Sequence, residues 1–166
     1  MQNRSLRADD WAAEALHKYA DMVYRLAYAQ VRNRTDADDI FQQVWCTYFQ
    51  KNKKFESEDH RKYWIINVTL KCCKKMYLSS WYRKTVFLEE FPLLTEEMPE
   101  KDYEVYYAVM NLPEKYRTPI YLYYYESLSV DEISKALKVN PSTIKSQLKR
   151  GREKLKDQLK GDEFSE

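Results

Sequence analysis

The stretch from Ser129 to Arg152, SVDEISKALKVNPSTIKSQLKRGR, constrains the fold more than any other, because it specifies two short helices and the turn between them. Ser129 followed by Glu132 is a capping box: the serine oxygen accepts from the third helical amide and the carboxylate accepts from the cap amide. Ile133, Ala136 and Leu137 then fall at helical spacing. The first helix is expected to stop around Lys138-Val139-Asn140. Asn140 suits an N-cap, and Pro141 suits the first helical position, where its missing N–H costs nothing. In the second helix Ile144, Leu148, Leu155 and Leu159 form one stripe, with Gly151 allowing a close approach to a neighbouring element. The opposite face carries Ser142, Thr143, Ser146, Gln147 and Arg150, flanked by Lys145 and Lys149. Short donors near the N-terminal end and bases further along suit a helix lying in the DNA major groove. An amphipathic hairpin with a solvated basic face would show the same periodicity, so the charge distribution has to decide.

Net charge is only +2, but it is unevenly placed. Residues 51–84 carry ten bases against three acids, and residues 138–160 carry eight against two. Between them residues 85–110 carry one base and seven acids. Two basic blocks separated by an acidic segment imply two nucleic-acid contacts joined by a connection that avoids the phosphates.

With only two glycines, and with few strand-like alternations, the chain is expected to be all-α: two small helical domains joined by an acidic linker, the second containing the helix-turn-helix. The first domain, residues 1–84, reads as three helices. Trp11 to Arg32 presents Leu16, Tyr19, Ala20, Val23, Leu26 and Ala27. Thr35, followed by Asp38, is the expected cap of a second helix whose apolar face is Ala37, Ile40, Phe41, Val44, Trp45 and Tyr48. After a basic loop, Lys51 to Asp59, a third helix from His60 to Ser79 is apolar except for Asn67, Lys71 and Lys74 at i, i+4 and i+7. That stripe marks its open face. Residues 85–102 form the linker and residues 103–160 the second domain. Its first helix is Tyr103 to Asn111, and its second opens at Leu112-Pro113-Glu114-Lys115-Tyr116-Arg117, with Pro119 expected to kink it or mark its start. Residues 161–166 form an acidic tail expected to be disordered.

Three cysteines, an odd count, fit a reducing compartment better than a disulfide framework. Cys72 and Cys73 are adjacent, Cys46 is alone, and His17 and His60 are the only histidines, so neither a metal site nor a cofactor is expected. No apolar run reaches membrane-spanning length, and a cytoplasmic location is expected.

Four blocks of the chain resemble bacterial sigma factors of the extracytoplasmic-function (ECF, group IV) type. They are Asp36-Ala37-Asp38-Asp39-Ile40-Phe41-Gln42-Gln43-Val44; Tyr63-Trp64-Ile65-Ile66-Asn67-Val68-Thr69 running to Ser80-Trp81-Tyr82-Arg83-Lys84; Leu112 to Arg117; and Ile144 to Leu155. The resemblance implies a non-enzymatic factor with three surfaces. Asp36, Asp39, Gln42 and Gln43 would dock on core RNA polymerase. Lys53, Lys54, Phe55, Asn67, Lys71 and Lys74 would hold and open the minus-10 promoter element. Phe55 is at least as well explained as an anchor packing its loop. Ser142, Thr143, Lys145, Ser146, Gln147, Lys149 and Arg150 would meet the minus-35 element. Promoter DNA and core polymerase are the implied partners, with an anti-sigma factor, free or membrane-bound, as the restraint and no small-molecule substrate.

The chain departs from the family pattern at Gln43, where glutamate is usual, at Lys71, at Lys138, which occupies a usual turn glycine, and at Gln147, where arginine is common. Gln147 could pair bidentately with adenine, where an arginine would favour guanine. Two rival readings remain open at this point. One is a helix-turn-helix regulator that never joins polymerase. The other is a metal-dependent nuclease built on Asp36, Asp38 and Asp39, although consecutive acids at a helix start are explained by the helix dipole.

Overall fold

The structure, a computed structural model, describes residues 2–51, 54–79 and 100–163. Among these residues there are seven helices and no strand: α1 (Gln2–Val31), α2 (Arg34–Gln50), α3 (Glu58–Leu78), α4 (Glu100–Met110), α5 (Glu114–Tyr124), α6 (Val130–Leu137) and α7 (Pro141–Glu163). The chain divides into two compact units, residues 1–90 and 91–166, a division that falls inside the expected linker.

In the first unit α1, α2 and α3 all pack on one another. The helical repeat of α1 lays Ala15, Tyr19, Met22, Val23, Leu26 and Ala27 on one buried face. They meet Ala37, Ile40, Val44, Trp45 and Tyr48 of α2, and Ile65, Ile66, Cys72 and Cys73 of α3. Burial pushes the Cys72 thiol up from its ordinary pKa, so it behaves as a packed apolar group rather than a nucleophile. At the far end the Tyr77 hydroxyl donates to the Gln30 carbonyl, tying α3 to the last turn of α1.

Two boundaries differ from expectation. Helix α1 begins nine residues before Trp11, at Gln2. The cap of α2 is Asn33 and not Thr35: the Asn33 side chain accepts from the Asp36 amide at 2.8 Å and donates to the Asp36 carboxylate at 2.7 Å. Both residues are good caps. Asn33 wins because its extended backbone (φ −149°, ψ 151°) follows directly on Arg32, which takes the left-handed conformation at φ 59° and breaks α1.

In the second unit α7 packs against α4, α5 and α6. Gly151 is what allows it: a Cβ there would lie 2.8 Å from Ile120 Cγ1. The buried Arg117 guanidinium donates to the Met110 and Leu112 carbonyls, satisfying the C-terminal end of α4. Pro119 neither starts nor ends α5, which runs through it with the proline buried. Helix α4 begins at Glu100, inside the expected linker, and α7 continues through Gly161 to Glu163, so the first three residues of the expected tail are helical. The other linker residues, 85–99, and the tail's 164–166 lie outside the described residues.

Candidate functional site

The helix-turn-helix has the local chemistry that its sequence announces. Both halves of the capping box form: the Glu132 amide donates to Ser129 Oγ at 3.2 Å, and the Ser129 amide donates to the Glu132 carboxylate at 2.7 Å. At the turn Lys138 takes the left-handed conformation (φ 56°, ψ 44°), the one a glycine holds without steric cost. Ser134 Oγ donates to the Val139 carbonyl at 2.6 Å and closes the turn from inside. Asn140 then opens α7, accepting from the Ser142 amide and from Ser142 Oγ, both at 3.0 Å.

Ile144, Leu148 and Gly151 are buried, which turns Ser142, Thr143, Lys145, Ser146, Lys149 and Arg150 to solvent. Six of the seven residues expected to meet the minus-35 element therefore share an open surface. Gln147 is different. It borders the buried stripe, and its Oε1 is shielded from solvent without a hydrogen-bond partner. Bidentate pairing needs both ends of the amide in the groove, so in this rotamer Gln147 can offer a base one contact at most.

Leu155 and Leu159, expected on the buried stripe, are half-buried for a reason the periodicity does not show. With Val105, Val109, Ile120 and Tyr124 they line an apolar groove of about 590 Å³ between α4, α5 and α7. Arg152 lies over Tyr123 and Tyr124, 5.5 and 5.6 Å from their ring centres, and donates to the Tyr124 hydroxyl at 2.7 Å. That arginine is engaged along the groove wall and not on the open face of α7.

On α2, Asp39, Gln42 and Gln43 are all exposed, with Cys46 one turn further on the same face. Asp36 does not join them as a free carboxylate, since it is half-buried and held by Asn33 at the start of the helix. Asp36, Asp38 and Asp39 do not converge on a common point, and among the described residues no group of three or more His, Cys, Asp or Glu could hold a metal ion.

The open stripe of α3 is present: Lys71 and Lys74 are exposed and Asn67 is half-buried. Lys54 is exposed in the middle of the preceding loop, whereas Lys53 lies outside the described residues. Phe55 packs as an anchor. Its ring centre lies 5.5 Å from Trp64, 5.6 Å from His60, and 6.1 Å from both Tyr48 and Trp11, the last two near-parallel to it. Trp11 also stacks on Tyr48 at 5.3 Å, and Lys51 lies 5.2 Å over Trp64. The loop is thereby pinned to α1, and the face of Phe55 is spent on protein. Sequence periodicity could not reveal that the fold brings Trp11 there.

One unit holds a helix-turn-helix whose second helix has an exposed basic face, and the other a polar α2 face and a basic α3 stripe, an arrangement suited to a DNA-binding protein. Comparison with known proteins agrees with that division. Residues 15–82 match the family described as Sigma-70 region 2, and residues 102–155 match Sigma-70 region 4. The chain is 27% identical over 168 residues to the ECF RNA polymerase sigma factor SigW of Bacillus subtilis (strain 168), covering 91% of this chain and 90% of that protein. It is 28% identical over 160 residues to the ECF RNA polymerase sigma factor SigE of Mycolicibacterium smegmatis, covering 88% of this chain and 60% of that protein. The fold is similar to that of the sigma factor RpoE from Bartonella quintana, solved as a complex with the anti-sigma factor NepR, with a TM-score of 0.69, 20% identity, and coverage of 91% of this chain and 97% of that one. The chain belongs to the sigma-70 family, and within it to the ECF type. The match to region 2 across the first unit separates it from a helix-turn-helix regulator that never joins polymerase. No described helix is long and apolar enough to cross a membrane.

Proposed function

We propose that this chain binds core RNA polymerase and directs it to a set of promoters, acting in the cytoplasm and catalysing no reaction of its own. The exposed Asp39, Gln42 and Gln43 of α2 dock on the core. Lys54, Asn67, Lys71 and Lys74 hold the minus-10 strand as it opens, neutralising phosphates beside unstacked bases. The open face of α7 meets the minus-35 element. Phe55 supports the minus-10 surface from behind and does not stack on a base. The observation that carries this reading is the orientation of α7, whose buried Ile144–Leu148–Gly151 stripe leaves a continuous row of short donors and bases facing outward.

Regulation by an anti-sigma factor follows from the same surfaces. The polymerase-docking and DNA-binding faces are exposed, so a partner that covers them silences the protein without unfolding it. The reading is tested by titrating the purified chain against core polymerase labelled for fluorescence anisotropy, in competition with a known sigma factor. Displacement of the competitor supports the assignment, and failure to bind core at micromolar concentration contradicts it.

A further inference from the structure

Trp11 stands on α1, 38% exposed, and belongs to none of the three working surfaces. Its ring nonetheless meets both other helices of the first unit and the loop between them. It stacks on Tyr48 of α2 at 5.3 Å and on Phe55 of the loop at 6.1 Å, and the Arg61 guanidinium of α3 lies 5.8 Å from its centre. Arg61 is itself fixed: its side chain is 4% exposed and forked on the Glu58 carboxylate at 2.6 Å, with Tyr19 as its other ring neighbour at 5.6 Å. A half-open indole held by three elements is placed to brace one of them.

The element that needs bracing is the stretch Lys54 to Ser57, which leads into α3 without a helical ladder of its own. At its end the Glu56 amide donates to His60 Nδ1 at 3.3 Å, and Ser57 caps α3 by accepting from the His60 amide at 3.1 Å. One residue earlier the tie is the Phe55 ring, set among Trp11, Tyr48, Trp64 and His60. Lys54 comes directly before it and is exposed. Lys71 and Lys74 are carried by a helix, whereas Lys54 is carried by this loop. A cation on unfixed chain must be ordered when its ligand arrives, and that entropy is subtracted from affinity; a cation whose backbone is already held avoids the loss.

We propose that Trp11 is a positioning residue for capture of the unwound minus-10 strand: by stacking on Phe55 it holds Lys54 in place for a phosphate of the single strand, without touching DNA itself. The proposal rests on the reading of Lys54, Asn67, Lys71 and Lys74 as the minus-10 surface. It adds to that surface a residue of α1, which carries none of the contacts assigned to DNA or polymerase.

The test uses the full chain assembled with core polymerase, on promoter DNA obtained by in vitro selection with the wild-type assembly. One DNA is the upstream duplex ending in a single-stranded minus-10 segment, and the other is the same duplex without the single strand. Affinity is measured against salt for the wild type, W11A, W11F, K54A and W11A/K54A, with core binding and helical content as folding controls. W11A keeps every charge, yet it is expected to weaken binding of the single-stranded DNA as K54A does and to leave the duplex unaffected. In both variants the slope of log affinity against log salt should become shallower by ~0.7, the value for one single-strand phosphate. The double variant should bind no more weakly than K54A, because Trp11 acts through Lys54. W11F, which keeps a ring, should restore most of the affinity. In the free chain, trypsin should cut after Lys54 faster in W11A than in the wild type. Wild-type affinity and slope in W11A overturn the proposal, as do losses in W11A and K54A that add. Equal loss on both DNAs also overturns it, since it marks Trp11 as structural alone. If the wild-type assembly gains no affinity from the single strand and K54A is silent, the minus-10 reading itself fails, a different outcome from these.

Discussion

Arg61 and Glu58 form a forked ion pair at the start of α3, with Arg61 Nη2 2.6 Å from both carboxylate oxygens and its own side chain only 4% exposed. The same carboxylate accepts from Lys18 at 3.0 Å and from the Tyr19 hydroxyl, so α3 is bolted to α1 through one acid. Partial burial alone would raise the Glu58 pKa, but hydrogen bonds from Arg61, Tyr19 and Lys18 outweigh it and hold it down to about 2.

A depressed carboxylate contributes stability that is present above its unfolded pKa and lost as pH falls through the folded value. The first unit is therefore expected to lose stability between about pH 4.5 and pH 2. In E58Q that acid-dependent component disappears, and because the Glu58 carboxylate is half exposed and its pairs are screened by solvent, the variant is less stable at neutral pH by only about 1 kcal/mol. Thermal melts followed by circular dichroism across this pH range check both.

The turn of the helix-turn-helix carries a cost that can be removed. Lys138 holds the left-handed conformation, in which an ordinary side chain is strained by about 1–2 kcal/mol. Glycine relieves that strain but loses more entropy on folding, by roughly 0.5–1 kcal/mol. K138G is expected to raise the stability of the second unit by about 0.5–1 kcal/mol, read from chemical denaturation.

Gly151 is the opposite case. Valine there would drive its Cβ against Ile120 Cγ1 at 2.8 Å and push α7 off α5. Overpacking of this kind costs about 1–3 kcal/mol. G151V is expected to lower the melting temperature of the second unit and to weaken minus-35 binding, while core binding through α2 persists.

On α2, Asp39 and Gln42 are exposed and stand away from the buried Ile40–Val44 face. The double variant D39R/Q42R is expected to weaken binding to core polymerase by ~10-fold or more, about 1.4 kcal/mol, without changing helical content. Wild-type competition for core by this variant would contradict the docking assignment.

Among the base-reading candidates, Lys145 and Ser146 stand on the open face one turn into α7. Their substitution is expected to change preference at one base pair by ~1–3 kcal/mol, whereas K149A should weaken every sequence alike. Selection from randomised minus-35 sequences separates the two.

The helix-turn-helix was legible in the sequence because its signals are local. A Ser-x-x-Glu box, an Asn-Pro start and an apolar stripe at 3.6-residue spacing each act within a turn or two of the chain. The polar face of α2 was legible for the same reason. What stayed hidden depends on contacts through space. Thr35 and Asn33 are both competent caps, and only the left-handed Arg32 decides between them. Phe55 became an anchor because Trp11 reaches it from α1, at a distance in sequence that no motif spans. Gln147 sits among open-face residues in the sequence, yet packing turns its oxygen inward. Tyr116 lies 35 residues from the Gly151 it packs against, and α5 and α7 must come together before that contact exists.

The central claim is that this chain gives RNA polymerase its promoter. The most direct measurement is run-off transcription by core polymerase with and without the purified chain, on a library of promoter fragments from which transcribed templates are recovered and sequenced. The account predicts transcripts only when the chain is present, from templates sharing two common elements at fixed spacing, and their disappearance with D39R/Q42R. Core polymerase that gains no promoter-specific transcription from the chain, while the chain still binds DNA by itself, would contradict it.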